Sequence, residues 1–223
     1  MKKRHNKDIS INAAKATICT AVLTLGALFS LHFLSPEFDP SWRMVSEYAN
    51  GHYSWVLSIM FGSWAVSSWL LAYTLRNQVS KRLGKIGLGF LILAGIGEMM
   101  AVFFDINQPL HGLAFLFGGV GLLVASLLIS INLSKQKEWT AFKKPLLMSA
   151  QLPWISVVIM MVGMGLFISA LTSAGVDMSQ GKILQTLPAG VTPFVGWANR
   201  FLIIAYSAWV IITAWYALQL AKN

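Results

Sequence analysis

Two acidic residues, Glu98 and Asp105, lie in one long apolar stretch of the chain and are its clearest candidates for chemistry. A spacing of seven residues places both carboxyl groups on one face of a helix. Ionisable groups within apolar segments usually face a bundle interior or a water-filled cavity. His111 follows the turn that Pro109 predicts, so we expect its imidazole near Asp105. Carboxylates beside an imidazole favour proton transfer, metal binding or the recognition of a polar ligand.

A second polar cluster lies between the first two apolar stretches. Arg43 and Glu47 are four residues apart and can pair on a short helix, and His52 follows them. Together these three residues could cover the Glu98 pocket. We predict a short interfacial helix here, with a shared apolar face made of Trp42, Val45 and Ala49.

The last apolar stretch opens with Asn199 and Arg200. A buried carboxylate needs a compensating charge, so Arg200 is the expected partner of Glu98 or Asp105. Two interpretations remain open: a buried ion pair that locks two helices, or a ligand pocket. The predicted pocket residues are Arg43, Glu47, Glu98, Asp105, His111, Asn199 and Arg200.

Composition shows which elements must position these residues. Of the 223 residues, 56% are hydrophobic and 11% are charged, whereas soluble domains have about 25% charged residues. A helix of roughly 20 apolar residues crosses a membrane. The sequence therefore predicts an all-α polytopic membrane protein, with one domain over 1–223 and a bundle of six transmembrane helices. We place these helices at about 13–34, 53–75, 83–104, 110–133, 145–171 and 196–221.

The positive charges predict the orientation of the bundle. Lys and Arg prefer the cytoplasmic side, and of the 17 in this chain only Arg43, Lys182 and Arg200 fall on the opposite side from the N-terminus. We therefore expect both termini in the cytoplasm, in a multi-pass protein of the cytoplasmic (inner) membrane. The net charge of +9 then reflects orientation signals, and nucleic acid is not an expected partner.

Glycine and tryptophan have structural explanations. The glycines of the third and fourth helices predict close helix packing, because small residues let membrane helices approach. Tryptophan is typical of membrane interfaces, so we interpret as anchors Trp55, Trp64, Trp69, Trp139, Trp197 and Trp215.

The run Pro40-Ser-Trp-Arg-Met-Val-Ser-Glu-Tyr48, the turn from Asp105 to His111-Gly112 and the six-helix layout resemble a family of prokaryotic membrane proteins. This family is known as domain of unknown function 998. The resemblance implies a six-helix integral membrane protein and brings no established activity. Its matching positions are Arg43, Ser46, Glu47, Tyr48, Asp105, His111 and Gly112.

Binding or transport of a lipid head group or small solute is the function that we favour. Guanidinium groups present a fork of donors, so Arg43 and Arg200 suit a phosphate or carboxylate. Glu98 could carry a proton in such a carrier. The bilayer is the expected partner, and the sequence predicts no oligomeric state.

Two alternatives remain. The first is a metal-dependent intramembrane hydrolase acting on lipid, in which Glu47 or Glu98 is the general base. Its candidate ligands are His52, Asp105 and His111, although the chain has no H-E-x-x-H motif. The second alternative is an accessory subunit whose polar groups fix helix packing. Apart from this divalent metal, no cofactor is predicted.

Overall fold

A computed structural model describes the backbone of residues 2–176 and 184–222 and the side chains from residue 10 onwards within those ranges. Asp177, Gly181 and Lys182, which the sequence places in an outer loop, lie outside the described residues. In these ranges the chain is helical and contains no strand, which confirms the all-α prediction. Within the described ranges, six helices are long and apolar enough to cross a membrane. They are α1 (Lys2–Leu34), α2 (Ser54–Leu75), α3 (Arg82–Phe103), α4 (His111–Leu133), α5 (Lys143–Ser173) and α6 (Val195–Lys222).

The predicted boundaries of α2 to α6 agree with the structure to within two residues. Helix α1 begins earlier than predicted, because its charged first residues continue the same helix ahead of the apolar span Ser10–Leu34. A 3-10 turn that the sequence did not predict, Lys137–Phe142, precedes α5 and buries Trp139. Helix α5 continues through Pro153, whose ring is buried.

Glycine lets α3 and α4 approach closely, as the sequence predicts. A Cβ atom on Gly97 would overlap the backbone nitrogen of Gly118, and one on Gly121 would lie 3.0 Å from the backbone nitrogen of Ala94. Backbone atoms cannot move aside as the end of a flexible side chain can. These contacts fix the distance between the two helices around Glu98, which follows Gly97 in α3.

Helix α4 is not a regular α-helix throughout. Residues Leu116–Val120 form a π-helical segment that includes Gly118, one of the residues packed against α3. Such segments are rare and are often found at functional sites. The side of the bundle that carries Glu98 therefore also carries the irregular part of α4.

Residues 35–53, which we call the lid segment, connect α1 to α2. The predicted short helix is present as a 3-10 turn, Val45–Asn50, and it is folded against the end of the bundle with Val45 and Tyr48 buried. The lid segment reaches α6 at Gly196, where a Cβ atom would lie 2.5 Å from the carbonyl oxygen of Pro40 and 2.8 Å from that of Arg43. This approach therefore requires glycine at position 196.

Candidate functional site

Arg200 is the centre of a hydrogen-bond network that joins α1, α6 and the lid segment. The guanidinium is buried, and it donates to His32 Nε2 at 2.8 Å and to the Tyr48 hydroxyl at 2.9 Å. It also donates to the backbone carbonyl oxygens of Arg43 at 2.7 Å and Gly196 at 3.0 Å. His32 is stacked on Trp197, with the ring centroids 6.1 Å apart. We call Arg200 and these partners the lid clamp.

The predicted ion pair between Arg200 and Glu98 or Asp105 is wrong. All four hydrogen bonds of the Arg200 guanidinium go to neutral acceptors. In the part of the chain that the structure describes, the ion pair that forms joins Arg43 to Glu47. A buried cation can be stabilised by backbone carbonyls and a phenol because their dipoles replace its hydration. Arg200 therefore serves packing at the lid.

The predicted pair of Arg43 and Glu47 is confirmed. Arg43 Nη1 lies 2.6 Å from Glu47 Oε2, and both side chains are buried in the lid segment. The other carboxylate oxygen accepts from the backbone N–H of Met44 at 2.8 Å. The Arg43 guanidinium also lies 4.3 Å from the centroid of the Trp42 ring, as in a cation–π contact. Both charges thus have partners within the lid segment.

Asp39 and Asn199 hold other parts of the lid segment. Hydrogen bonds from the hydroxyl and backbone N–H of Ser41 hold the pKa of the Asp39 carboxyl below its usual value. The Asn199 side-chain oxygen accepts from the backbone N–H of Val45 at 2.8 Å. Asn199 therefore connects α6 to the lid segment, which is a role that its sequence position did not reveal.

Glu98 lies in a different environment, inside the bundle. Its side chain is 3% exposed, and Oε2 accepts a hydrogen bond from the Ser68 hydroxyl at 2.8 Å. Among the described residues Oε1 has no hydrogen-bond partner, although it is buried. An unpaired buried polar atom costs about 1–3 kcal/mol. This carboxyl group is therefore a part of the site that lacks a full set of hydrogen-bond partners.

Glu98 lines a cavity of about 450 Å³ between the lid segment and helices α2 to α6. This volume is in the range of small-molecule pockets, which are roughly 300–1,000 Å³. The walls are mostly apolar, with aromatic rings from α2 and α6 and methionines from α5. Besides Glu98, polar groups reach the wall from Ser46, His111, Asn199 and Tyr206.

Trp64 is part of the cavity wall. The sequence-based interpretation of this residue as an interfacial anchor is therefore wrong. Its ring is 6% exposed, lines the cavity wall and lies one helical turn from Ser68, the donor to Glu98. Its indole N–H has no acceptor in the described ranges. The ring of Tyr206 lies edge-on to it, with centroids 6.0 Å apart, and the Tyr206 hydroxyl donates to the carbonyl of Gly119 in the π-helical segment.

The structure separates the predicted pocket residues into two groups. Glu98, His111 and Asn199 line the cavity. The remaining four do not contribute to its wall in the described part of the chain, and they are Arg43, Glu47, Asp105 and Arg200. Both arginines were predicted in the pocket because the sequence indicates on which side of the membrane they lie. It does not indicate the direction in which their N–H groups point.

The three candidate metal ligands do not share a common site, and each has different surroundings. Asp105 accepts from the backbone N–H of Asn107, His111 Nδ1 lies 3.0 Å from the carbonyl oxygen of Phe104, and His52 is exposed. Over residues 10–176 and 184–222, no group of three His, Cys, Asp or Glu side chains is placed to hold a metal ion. The metal-dependent hydrolase stays a prediction that this geometry does not test.

A comparison with protein families matches residues 18–216 to the family described as Protein of unknown function (DUF998). The chain belongs to this family. The match covers nearly the whole bundle and confirms the predicted membership. No curated protein and no solved structure matches the chain.

The positions on which the DUF998 resemblance rests fall into the same two groups. Ser46, His111 and Gly112 line the cavity. The other positions hold the lid segment or the turn before α4, and they are Arg43, Glu47, Tyr48 and Asp105. The DUF998 protein thus has a covered cavity within a multi-pass membrane bundle.

Proposed function

We propose that this DUF998 protein binds a lipid head group or small solute in the cavity around Glu98. The observation that carries the proposal is the free Oε1 atom of a buried carboxyl group in a mostly apolar cavity. Ionisable groups at membrane depth usually mark a ligand or ion pathway. A bound molecule would supply the hydrogen bond that the neighbouring side chains do not.

The rim of the cavity supports access from the bilayer. Phe115 of α4 and Met161 of α5 line the cavity, and they are also 58% and 69% exposed on the outside of the bundle. A molecule that is dissolved in the hydrocarbon could reach Glu98 between these two helices. The lid segment covers the end of the bundle, so this side route does not require it to open.

The lid clamp is better explained by a role in helix packing than by a role in ligand binding. Arg200 and the pair of Arg43 and Glu47 make their hydrogen bonds within the protein, as expected of an accessory or structural element. The two groups of residues therefore support different roles in one molecule. The binding proposal depends on the Glu98 cavity alone.

The proposal can be tested by filling the cavity. Ala101 lines it, and Ala101→Trp would place an indole in the space that we assign to a ligand. Gly89→Trp is the matched control, because Gly89 lies on the same helix with no atom within 4 Å of an added Cβ. Native mass spectrometry of the proteins purified in mild detergent would detect retained small molecules.

We expect a discrete adduct on the wild type and on Gly89→Trp that is absent from Ala101→Trp. An identical set of adducts on all three proteins would place the bound molecules outside the cavity. A wild type without any adduct, tested after extraction in two different detergents, would also contradict the proposal.

A further inference from the structure

The charge balance around the cavity points to the chemical class of its ligand. Glu98 has one donor, the Ser68 hydroxyl, and no cation beside it in the described ranges. Of the nearby arginines, Arg43 is paired with Glu47 and Arg200 donates to neutral acceptors. A carboxylate away from water is stabilised by an opposite charge or by several donors. The missing complement is therefore a cation or a donor.

The cavity walls are suited to a cation. Phe61 and Trp64 are stacked with ring centroids 6.4 Å apart, and Tyr206 lies edge-on to Trp64. All three rings line the cavity that holds Glu98. The faces of aromatic rings carry negative partial charge and attract ammonium groups, most strongly when water is excluded.

An anionic head group is disfavoured at the same place. No arginine or lysine of the described chain lines the cavity, so a phosphate would meet a carboxyl group without a cation to bind it. An alcohol would satisfy Oε1, but it would gain less from the aromatic faces, because it carries no positive charge. An amine can supply both a donor and a cation. Its N–H groups donate to the carboxyl oxygen, and its positive charge pairs with the carboxylate.

The rest of the cavity suits an apolar body. Met160, Met161 and Met164 form one side, and methionine adapts its flexible side chain to ligands of different shape. The volume of about 450 Å³ is much larger than an ammonium group needs. The remaining space is apolar and opens towards the outside of the bundle at Phe115 and Met161.

We infer that the ligand of this cavity is a lipophilic amine, whose ammonium group pairs with Glu98 between the rings of Phe61, Trp64 and Tyr206. This inference rests on the proposed function, because it names the class of molecule that the cavity binds. Decylamine, decanol and decyl phosphate share one apolar chain and differ in the polar group. They are therefore matched probes for isothermal titration calorimetry on the full chain in phosphatidylcholine nanodiscs.

For the wild type at pH 7 we expect decylamine to bind at least about tenfold more tightly than decanol or decyl phosphate. Glu98→Gln keeps the shape of the side chain and should remove most of that preference, with decanol changed by less than about threefold. The matched control is Glu138→Gln, because Glu138 is a carboxylate at an exposed position outside the cavity. It should leave all three affinities unchanged.

A second variant keeps the test decisive if Glu98→Gln is poorly folded. Phe61→Leu retains the carboxyl group and removes one aromatic face, so decylamine should bind about two- to fivefold more weakly while decanol is unaffected. An equal loss for both probes would contradict a role for the aromatic faces.

The outcomes separate this inference from the proposed function. Equal affinity for decylamine and decanol, or tighter binding of decyl phosphate, would overturn the amine assignment and leave a ligand-binding cavity. If none of the three probes binds but the wild type retains an adduct that Ala101→Trp lacks, the amine assignment is also wrong and the cavity still binds a ligand. If no probe binds and Ala101→Trp leaves the adducts unchanged, both proposals fail.

Discussion

The lid clamp and the Glu98 cavity each bury an ionisable side chain, but the two side chains differ in how completely they are hydrogen-bonded. In the clamp, the Arg200 guanidinium reaches acceptors on α1, α6 and the lid segment. In the cavity, the Glu98 carboxyl accepts from Ser68 and has a free oxygen among the described residues. A saturated network contributes to stability, and an unsaturated one is available to a ligand. On the binding proposal, this difference separates the residues that hold the bundle together from the residues that bind the ligand.

The largest effect should come from removing the centre of the clamp. Arg200→Met keeps much of the length and apolar surface of the side chain, but it leaves the Tyr48 hydroxyl, His32 and two backbone carbonyls without their donor. We expect a loss of at least about 3 kcal/mol in the free energy of unfolding. Unfolding by SDS in mixed micelles measures it. A loss below about 1 kcal/mol would show that the clamp is not a stabilising element.

An intermediate effect should follow from Gly196→Ala, because the new Cβ would meet backbone atoms of Pro40 and Arg43. The lid segment must then shift, and overpacking of this kind costs about 1–3 kcal/mol. Gly119→Ala is the matched control in the cavity wall, where the Cβ would lie 3.5 Å from the Phe115 ring. The control should change stability by less than about 1 kcal/mol in the same assay. Equal losses would remove the distinction between the two regions.

The smallest effect on stability should come from Glu98→Gln. The substitution keeps an acceptor for Ser68 and removes a carboxyl group that has no cation beside it in the described chain. Without ligand, we expect the free energy of unfolding to change by less than about 1 kcal/mol or to increase. A loss of 3 kcal/mol or more would mean that Glu98 has a structural partner, and it would make the two regions alike.

The sequence predicts the helices well because a membrane imposes a simple rule. Each span needs about 20 apolar residues, so the length of α2, α3 and α4 follows directly from where charge and proline interrupt the chain. The start of α1 was less predictable, since residues from Lys2 onwards continue the helix in spite of their charge. The 3-10 turn before α5 was not predicted, because no apolar stretch of membrane-spanning length marks it in the sequence.

The site was harder to predict, because its contacts depend on backbone atoms and on helix rotation. Two of the partners of Arg200 are carbonyl oxygens, which every residue has, so no residue type marks them. Reasoning from charge alone therefore paired Arg200 with the wrong groups. Glu98 was identified correctly as buried, since a carboxyl group in an apolar stretch is unusual. Trp64 was assigned to the interface because the orientation of its ring into the cavity is not visible in the sequence.

The π-helical segment of α4 has a consequence for how the family can vary in length. A π-helical turn holds one residue more than the α-helical turn it replaces, and each residue turns an α-helix by about 100°. Deleting one residue within Leu116–Val120 would therefore restore a regular helix, and His111 and Phe115 would keep nearly the same direction relative to Gly121 and the residues after it. Both side chains would then stay in the cavity wall that they now line, whereas a deletion in a regular part of α4 would turn them by about 100°. The length of α4 can thus change by one residue at this segment without a change in the direction of the side chains at the mouth of the cavity.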